Sequence, residues 1–593
     1  IAQAARAEGI ARIALVTEDL SRTDRPAFPR GTTFHDRTEL DGVQRELRDV
    51  PGVTVLIYDQ ACATEARRRR KRGEVPAPTR TVVINEAVCE GCGDCSIESN
   101  CLSVEPFETE YGRKRRINQA SCNKDYSCLQ GFCPSFVTVE GLKLKKRASD
   151  HDAAALAARL PLPEPIALDG PYDLLVTGVG GTGVVTVGAL VSMAAHLEGL
   201  GASVLDFTGF AQKFGTVLGY VRLARTPEAL HQVRIERASA DAVIACDAVV
   251  SSAPKASAHY RCGTKVALNV AEMPTGDLVL NRDADLHIDA RAAAIADAVG
   301  TENVAVLDAN AASTRLMGDP VYANVMMLGF AWQRGLVPVS LGALDQAMML
   351  NGVAVDANRR AFALGRITAH SPDALTPRDP APINSAPRSL DDLLAAREGD
   401  LREWGGKAPA RRFRAAIDRF RAAADDDTLT ETATRSLFRL MAYKDEYEVA
   451  RLHVDPAFKA KLAAMFETED GGAVRPAYYL APPILASGRD HRGRPVKRRF
   501  GPWMGRAFQI LARLKGLRGT PLDPFQFQAD RKLDRELIDW FHKVLADLPT
   551  RDMDVETKRR IAAAPQDIRG YGPVREAAAI RIRNEVTKTM SRP

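Results

Sequence analysis

The chain has 593 residues, with 81 Lys and Arg against 75 Asp and Glu and a net charge of +6. That length holds about three to five domains of roughly 150 residues each, and the near-balance of charge argues against a protein built mainly to grip nucleic acid. At 45% apolar and 26% charged residues the composition is globular; no apolar run reaches the roughly eighteen residues of a membrane helix, and residues 1–20 are too interrupted by charge for a secretion signal.

Residues 1–85 read as α/β. The β-branched runs at 13–16 and 53–58 predict strands, and Val43, Leu47 and Val50 fit one face of a short helix between them. These are too few elements for a full doubly wound domain. The stretch reads as the end of something larger, and a chain that starts at Ile1 without Met is expected to be a fragment. The basic run 67–72 predicts a solvated surface, or a docking charge for an acidic partner. A cysteine-rich segment follows over 86–148. Pro161, Pro163, Pro165 and Pro171 predict an extended linker.

Residues 172–370 read as a second α/β unit. Strands are expected at 172–177, 203–207, 242–244, 265–268 and 304–307, with a helix over 184–197. A second linker carries Pro372, Pro377, Pro380, Pro382 and Pro387. Residues 388–593 read as mostly helical: Ser389 can cap a helix, and Leu390, Leu393, Leu394, Leu401 and Trp404 follow helical spacing despite Gly399. Residues 411–423, 431–443 and 531–548 are amphipathic too. The fold class is thus multidomain α/β with a ferredoxin-like segment and a mainly helical C-terminal domain.

Seven of the ten cysteines lie between Cys89 and Cys133. The pattern is Cys89-x2-Cys92-x2-Cys95-x5-Cys101, then Cys122-x5-Cys128-x4-Cys133-Pro134. Thiolates at every third residue of a tight loop can reach three corners of a cubane. Gly91 and Gly93 let that loop turn and expose N–H groups to sulfur, and a distant Cys-Pro usually brings the fourth ligand. Zinc more often takes two Cys-x2-Cys knuckles. An iron–sulfur cluster is therefore expected, with zinc as the alternative metal. By ferredoxin logic Cys89, Cys92, Cys95 and Cys133 hold one [4Fe-4S] cluster. Cys101, Cys122 and Cys128 would hold a second with one ligand short. Cys62, a non-cysteine ligand or a three-iron cluster could complete it. Cys246 and Cys262 read as bystanders.

The loop Gly178-Val179-Gly180-Gly181-Thr182-Gly183 joins an expected strand to an expected helix. Gly178, Gly180, Gly181 and Gly183 are candidates for cradling a phosphate. Asp206 sits roughly where a ribose-binding acid belongs in a dinucleotide fold, so NAD or FAD is one reading. Close packing of helix on strand is the other. The small-residue loop from Gly209 to Gly215, with Gln212 and Lys213, could face an anionic substrate or a partner domain. The pairs Met326–Met327 and Met348–Met349 read as core. The run 497–499 reads as solvated surface.

Cys89-Glu90-Gly91-Cys92-Gly93-Asp94-Cys95, Ser121-Cys122-Asn123-Lys124-Asp125-Tyr126-Ser127-Cys128 and Gly131-Phe132-Cys133-Pro134-Ser135-Phe136 resemble the fused indolepyruvate ferredoxin oxidoreductases, a family of 2-oxoacid:ferredoxin oxidoreductases. Tyr58-Asp59-Gln60-Ala61-Cys62 resembles the tail of that family's thiamine-diphosphate domain. The unit with the glycine loop is similar to its gamma-type domain, closing at Gly365-Arg366, and the helical region is similar to the extra domain of long fused members. In two places the chain departs from the family: Phe214-Gly215 stands where members carry a glycine pair, and no Gly-Asp-Gly thiamine motif is present. The resemblance implies oxidative decarboxylation of an arylpyruvate such as indolepyruvate to an acyl-CoA, with electrons passing through clusters to ferredoxin. It implies thiamine diphosphate with Mg2+, sited mostly before Ile1, and CoA as co-substrate. It also implies a cytoplasmic homo-oligomer without membrane or nucleic-acid partners. This chain would be the electron-transfer half, with no catalytic acid or base assigned. A nicotinamide- or flavin-linked iron–sulfur oxidoreductase and a zinc-stabilised interaction or nucleic-acid-binding protein are the alternative readings.

Overall fold

The computed structural model describes residues 1–76, 78–145, 152–209, 215–372, 389–468, 474–482, 488–490 and 492–591. They fall into two units, Ile1–Pro78 and Thr79–Pro593. The loop residues 210–214 and most of the second proline linker lie outside the described residues.

In the first unit α1 (Ala2–Ala7) leads into β1 (Arg12–Thr17), β2 (Thr33–Asp36) and β3 (Thr54–Asp59), a parallel sheet in the order β2-β1-β3. Helix α2 (Leu40–Arg48) buries Val43 and Leu47 against Ala14 and Val16. Val50 lies past its end. Strand β2 was not expected, because Thr-Phe-His-Asp has no apolar alternation. Helix α3 (Ala63–Lys71) carries most of the basic run, and Arg68 and Arg69 turn back to Glu65 at 3.9 and 3.4 Å.

The second unit opens on the cysteine segment. Strand β4 (Arg80–Ile84) pairs antiparallel with β7 (Phe136–Glu140), and β5 (Val104–Phe107) with β6 (Lys114–Ile117). Between them lies the short helix α4 (Asp94–Ser99). Strand β8 (Leu142–Leu144) and helix α5 (Ala153–Ala158), capped by Asp152, lead to the linker.

The α/β part is a six-stranded sheet of β9 (Tyr172–Val179), β10 (Gly201–Thr208), β11 (Thr216–Ala224), β12 (Ala242–Ala245), β13 (Lys265–Asn269) and β14 (Val304–Leu307). The order is β10-β11-β9-β12-β13-β14. Strands β9, β12, β13 and β14 are parallel, while β11 runs antiparallel to both neighbours. Strand β11 was missed by the sequence reading and separates β10 from β9. Helix α6 (Val184–Leu197) packs Val187, Leu190 and Val191 on the sheet. Helices Ala323–Gln333 and Val355–His370 cross closely: a Cβ on Gly329 would lie 2.1 Å from the Phe362 carbonyl oxygen, and one on Gly365 2.0 Å from that of Met326. Met326, Met327 and Met348 are core, as expected, whereas Met349 is exposed.

From Leu390–Gly405 to Gly572–Met590 the chain is mostly helical around one core that includes Trp404, Phe413, Leu437 and Phe541. The Ser389 Oγ accepts the Asp392 N–H at 3.1 Å, the expected cap. This region also holds strands. Strand β15 (Phe466–Thr468) pairs with β8. Strands β16 (Pro476–Leu480) and β17 (Arg498–Phe500) extend the cysteine segment's sheet to β17-β16-β7-β4. Among the described residues no helix is long and apolar enough to cross a membrane.

Candidate metal centre

The cysteine segment is arranged to bring distant thiols together. After β4, Asn85 donates its N–H to the Ser135 carbonyl at 2.8 Å and accepts the Cys89 N–H at 2.9 Å, tying the start of one cysteine loop to the end of the other. Gly91 has φ +65°, and a Cβ there would meet the Arg113 carbonyl oxygen at 2.1 Å. Gly131 faces Cys95 so closely that a Cβ would lie 2.7 Å from its Cα. Three non-glycine residues with positive φ, Asn100, Lys124 and Tyr126, also fall in this segment. Such costly backbone clusters where the surroundings over-determine it.

The seven cysteines fall into two neighbouring groups. Burial pushes the Cys92 and Cys95 thiols up, and the adjacent Cys133 and Cys89 push both further. Burial also pushes Cys128 up, with Cys122 and Cys101 beside it adding to the shift. Cys122 rises with burial as well, against the pull of the Lys124 N–H. Cys128 also bears on Cys95, so the groups are close. Several donors point at sulfur: the Gly91 N–H on Cys89 Sγ at 3.3 Å and the Lys124 N–H on Cys122 Sγ at 3.4 Å. Ser135 Oγ lies 3.0 Å from Cys133 Sγ.

Thiols that raise one another cannot all ionise unaided. A cationic metal–sulfide core that deprotonates them outright fits this donor set. Among the described residues no group of three or more His, Cys, Asp or Glu side chains is placed to hold a metal ion. Cys246 is buried beneath Gly178, Cys262 is exposed, and Cys62 is exposed in the first unit.

A charged frame surrounds the first group. Asp94 accepts the Phe132 N–H at 2.6 Å, joining α4 to the loop before Cys133. Arg494 donates to Asp94 at 2.9 Å and to Glu98 at 2.7 Å, all three side chains nearly inaccessible. Glu90 lies 2.5 Å from Lys444 and 2.9 Å from Arg439. Burial alone would push Glu90 up, but Lys444 and then Arg439 hold it well below the usual carboxylate range. Tyr571 Oη donates to the Val88 carbonyl at 2.6 Å. His453 Nε2 lies 2.9 Å from the Pro134 carbonyl, and burial pushes His453 down to about 4. Arg282, from the α/β part, reaches the Cys92 carbonyl at 3.5 Å and Asp567 at 3.1 Å. Sequence reasoning named none of these as site residues. Glu90, Asp94 and Glu98 lie in or beside the cysteine motif; Arg282, Arg439, Lys444, His453, Arg494 and Tyr571 lie well over a hundred positions away without a motif of their own.

The glycine loop is partly accounted for by packing. A Cβ on Gly178 would meet Val184 Cγ2 at 2.7 Å and Cys246 Cβ at 3.0 Å, so this glycine lets α6 approach β9. The Gly180 N–H is taken by the Gly215 carbonyl at 2.6 Å. Gly181 and Gly183 have φ +83° and +99°, and Gly183 precedes the first turn of α6. Asp206 lies on β10, one strand beyond β9 because β11 intervenes, and opposite Gly219. It is therefore displaced from the place of a ribose-binding acid, which in a dinucleotide fold stands on the adjacent strand.

Residues 173–367 match the family described as pyruvate ferredoxin/flavodoxin oxidoreductase. An indolepyruvate oxidoreductase subunit IorB from Thermococcus kodakarensis is 26% identical over 196 residues, covering 33% of this chain and 94% of that protein. Its counterpart from Pyrococcus horikoshii is 24% identical over the same shares. Over this third of its length the chain is similar to indolepyruvate oxidoreductase subunits. Residues 390–588 match a family of unknown function (DUF6537). Among solved structures, the pyruvate oxidoreductase subunit PORC of Thermotoga maritima is 17% identical with a TM-score of 0.25, covering 33% of this chain and 96% of that one.

Proposed function

We propose that this chain carries the electron-handling part of a 2-oxoacid:ferredoxin oxidoreductase acting on indolepyruvate or a related arylpyruvate. The observation that carries the reading is the closeness of the two ends of the cysteine segment: Gly131 packs on Cys95, Asn85 joins Cys89 to Ser135, and Cys133 and Cys89 both raise the Cys92 and Cys95 thiols. These four cysteines would hold a [4Fe-4S] cluster, and Cys101, Cys122 and Cys128 three corners of a second. The N–H groups of Gly91 and Lys124 would share the negative charge on sulfur, and burial would keep water from it. In this reading 1–85 belongs to a thiamine-diphosphate-binding domain, 86–148 is the ferredoxin-like segment, 172–370 the gamma-type domain and 388–593 an accessory domain. Thiamine diphosphate with Mg2+ would supply carbanion stabilisation when bound, with CoA as co-substrate and ferredoxin as electron acceptor. Reduced thiols in this number fit the cytoplasm. The exposed arginines of α3 suit an acidic ferredoxin.

The nicotinamide reading is weakened by the occupied Gly180 N–H and the displaced Asp206. Iron and acid-labile sulfide analysis of the anaerobically reconstituted chain is the test. About four irons per chain support one cluster and seven or eight support two. One zinc and no iron would sink the proposal.

A further inference from the structure

The region matching the family of unknown function places basic side chains on the cysteine loops. Lys497 Nζ donates to the Gly131 carbonyl and, at 3.2 Å, to the Cys133 carbonyl, and lies 4.9 Å from the centre of the Phe136 ring. Lys444 Nζ donates to the Val88 and Cys89 carbonyls at 3.3 and 3.2 Å. Arg439 donates to the Glu90 carbonyl at 3.1 Å. Arg494 holds the two acids of α4, the helix that carries Cys95. These contacts flank the cysteines of the first group. The sequence alone would leave 497–499 as solvated surface. Arg499 fits that reading, half-exposed and paired with Glu140 at 2.7 Å. Lys497 is partly buried and turned the other way.

A metal–sulfur group bound by four thiolates gains negative charge when it takes an electron. A fixed cation nearby stabilises that reduced state, more so where the surroundings exclude water. We propose that the C-terminal region is an electrostatic clamp for the cysteine segment, in which Lys497, seated on the Gly131 and Cys133 carbonyls, raises the reduction potential of the group bound by Cys89, Cys92, Cys95 and Cys133. Lys497 is a positioning and tuning residue, not a ligand. Lys444 acts in the same sense from the other end of the loop. The inference rests on the cluster assignment above and gives the C-terminal region a task.

The test is a redox titration of the full chain followed by electron paramagnetic resonance, with iron content measured in parallel and the fold checked by circular dichroism. Lys497→Gln should shift the reduction equilibrium at least tenfold against the reduced state, about 59 mV for one electron. Lys497→Arg keeps the charge and should stay near the parent value, and Arg499→Gln should not move it. If the parent chain takes up no iron, the cluster assignment fails and this inference with it. If Lys497→Gln keeps its iron at an unchanged potential, the inference fails and the assignment stands. If Lys497→Gln loses its iron, an Arg variant with iron and the parent potential supports the inference. An Arg variant that also loses iron reduces Lys497 to a structural pin and overturns it.

Discussion

The α/β part packs Val187, Leu190 and Val191 of α6 against Leu174 and Val176 of β9, and its sheet closes on neighbouring stretches of chain. The cysteine segment divides its apolar residues: Val82, Ile84, Val104, Ile117 and Phe136 share a small cluster with three buried cysteines and with Tyr479 from the far region, while Val83, Val88, Val137 and Val139 pack against C-terminal residues such as Phe458 and Val449. Its remaining order comes from β16, Arg494, His453 and Tyr571. A domain with a large apolar core positions its loops by itself. A segment that spends its interior on thiols depends on its neighbours for shape.

The sharpest break in this comparison is Cys133→Ser. It should remove the iron of the first group and its share of the visible absorption, while Cys246→Ala in the α/β part leaves the iron unchanged; metal analysis of the two variants decides. Next comes Arg494→Met. It leaves Asp94 and Glu98 with only the half-exposed Arg492, 3.9 and 3.2 Å away, which should cost about 2–4 kcal/mol in chemical unfolding. An unfolding midpoint within error of the parent would show that the frame around α4 is not needed.

A smaller effect belongs to pH. His453 is buried as the neutral ring, its folded pKa about 4 against roughly 6.5 unfolded. The unfolded chain therefore binds the extra proton between those values. The stabilising contribution is complete above pH 6.5 and is lost as pH falls to 4, roughly 3 kcal/mol in all. Denaturant titrations at pH 7 and pH 5 should show a steeper loss for the parent than for His453→Gln; parallel losses would remove the assignment. The smallest effect is expected at Gly178→Ala, where crowding of Val184 and Cys246 should cost about 1–3 kcal/mol in the α/β part and leave the iron content untouched.

What could be read from the sequence follows the same division. Strand β14 and helix α6 were placed to the residue, because β-branched runs and a long apolar helix carry their own periodicity. The cysteine pattern stands out in the sequence because its spacing is local. Strand β11 escaped because Thr216–Ala224 is buried along nearly its whole length and shows no alternation. Strands β16 and β17 escaped because they are short and stand among helices. Arg494, Lys497 and His453 escaped for a deeper reason. Their role is set by what lies across the interface, and nothing near them in the chain records it.

The joining of β7 to β16 bears on synthesis. Thr138 and Tyr479, whose hydroxyls meet at 3.3 Å, are 341 positions apart. At about 5–20 residues per second a ribosome needs roughly 20–70 s to cover that distance. During that time the seven thiols are made and their covering strand is not. The segment is expected to stay open to cofactor delivery until residues 476–500 have been made. Stalled chains ending before residue 476 should therefore bind iron weakly or release it readily to a chelator, and chains that hold it as firmly as the full protein would show that closure does not wait.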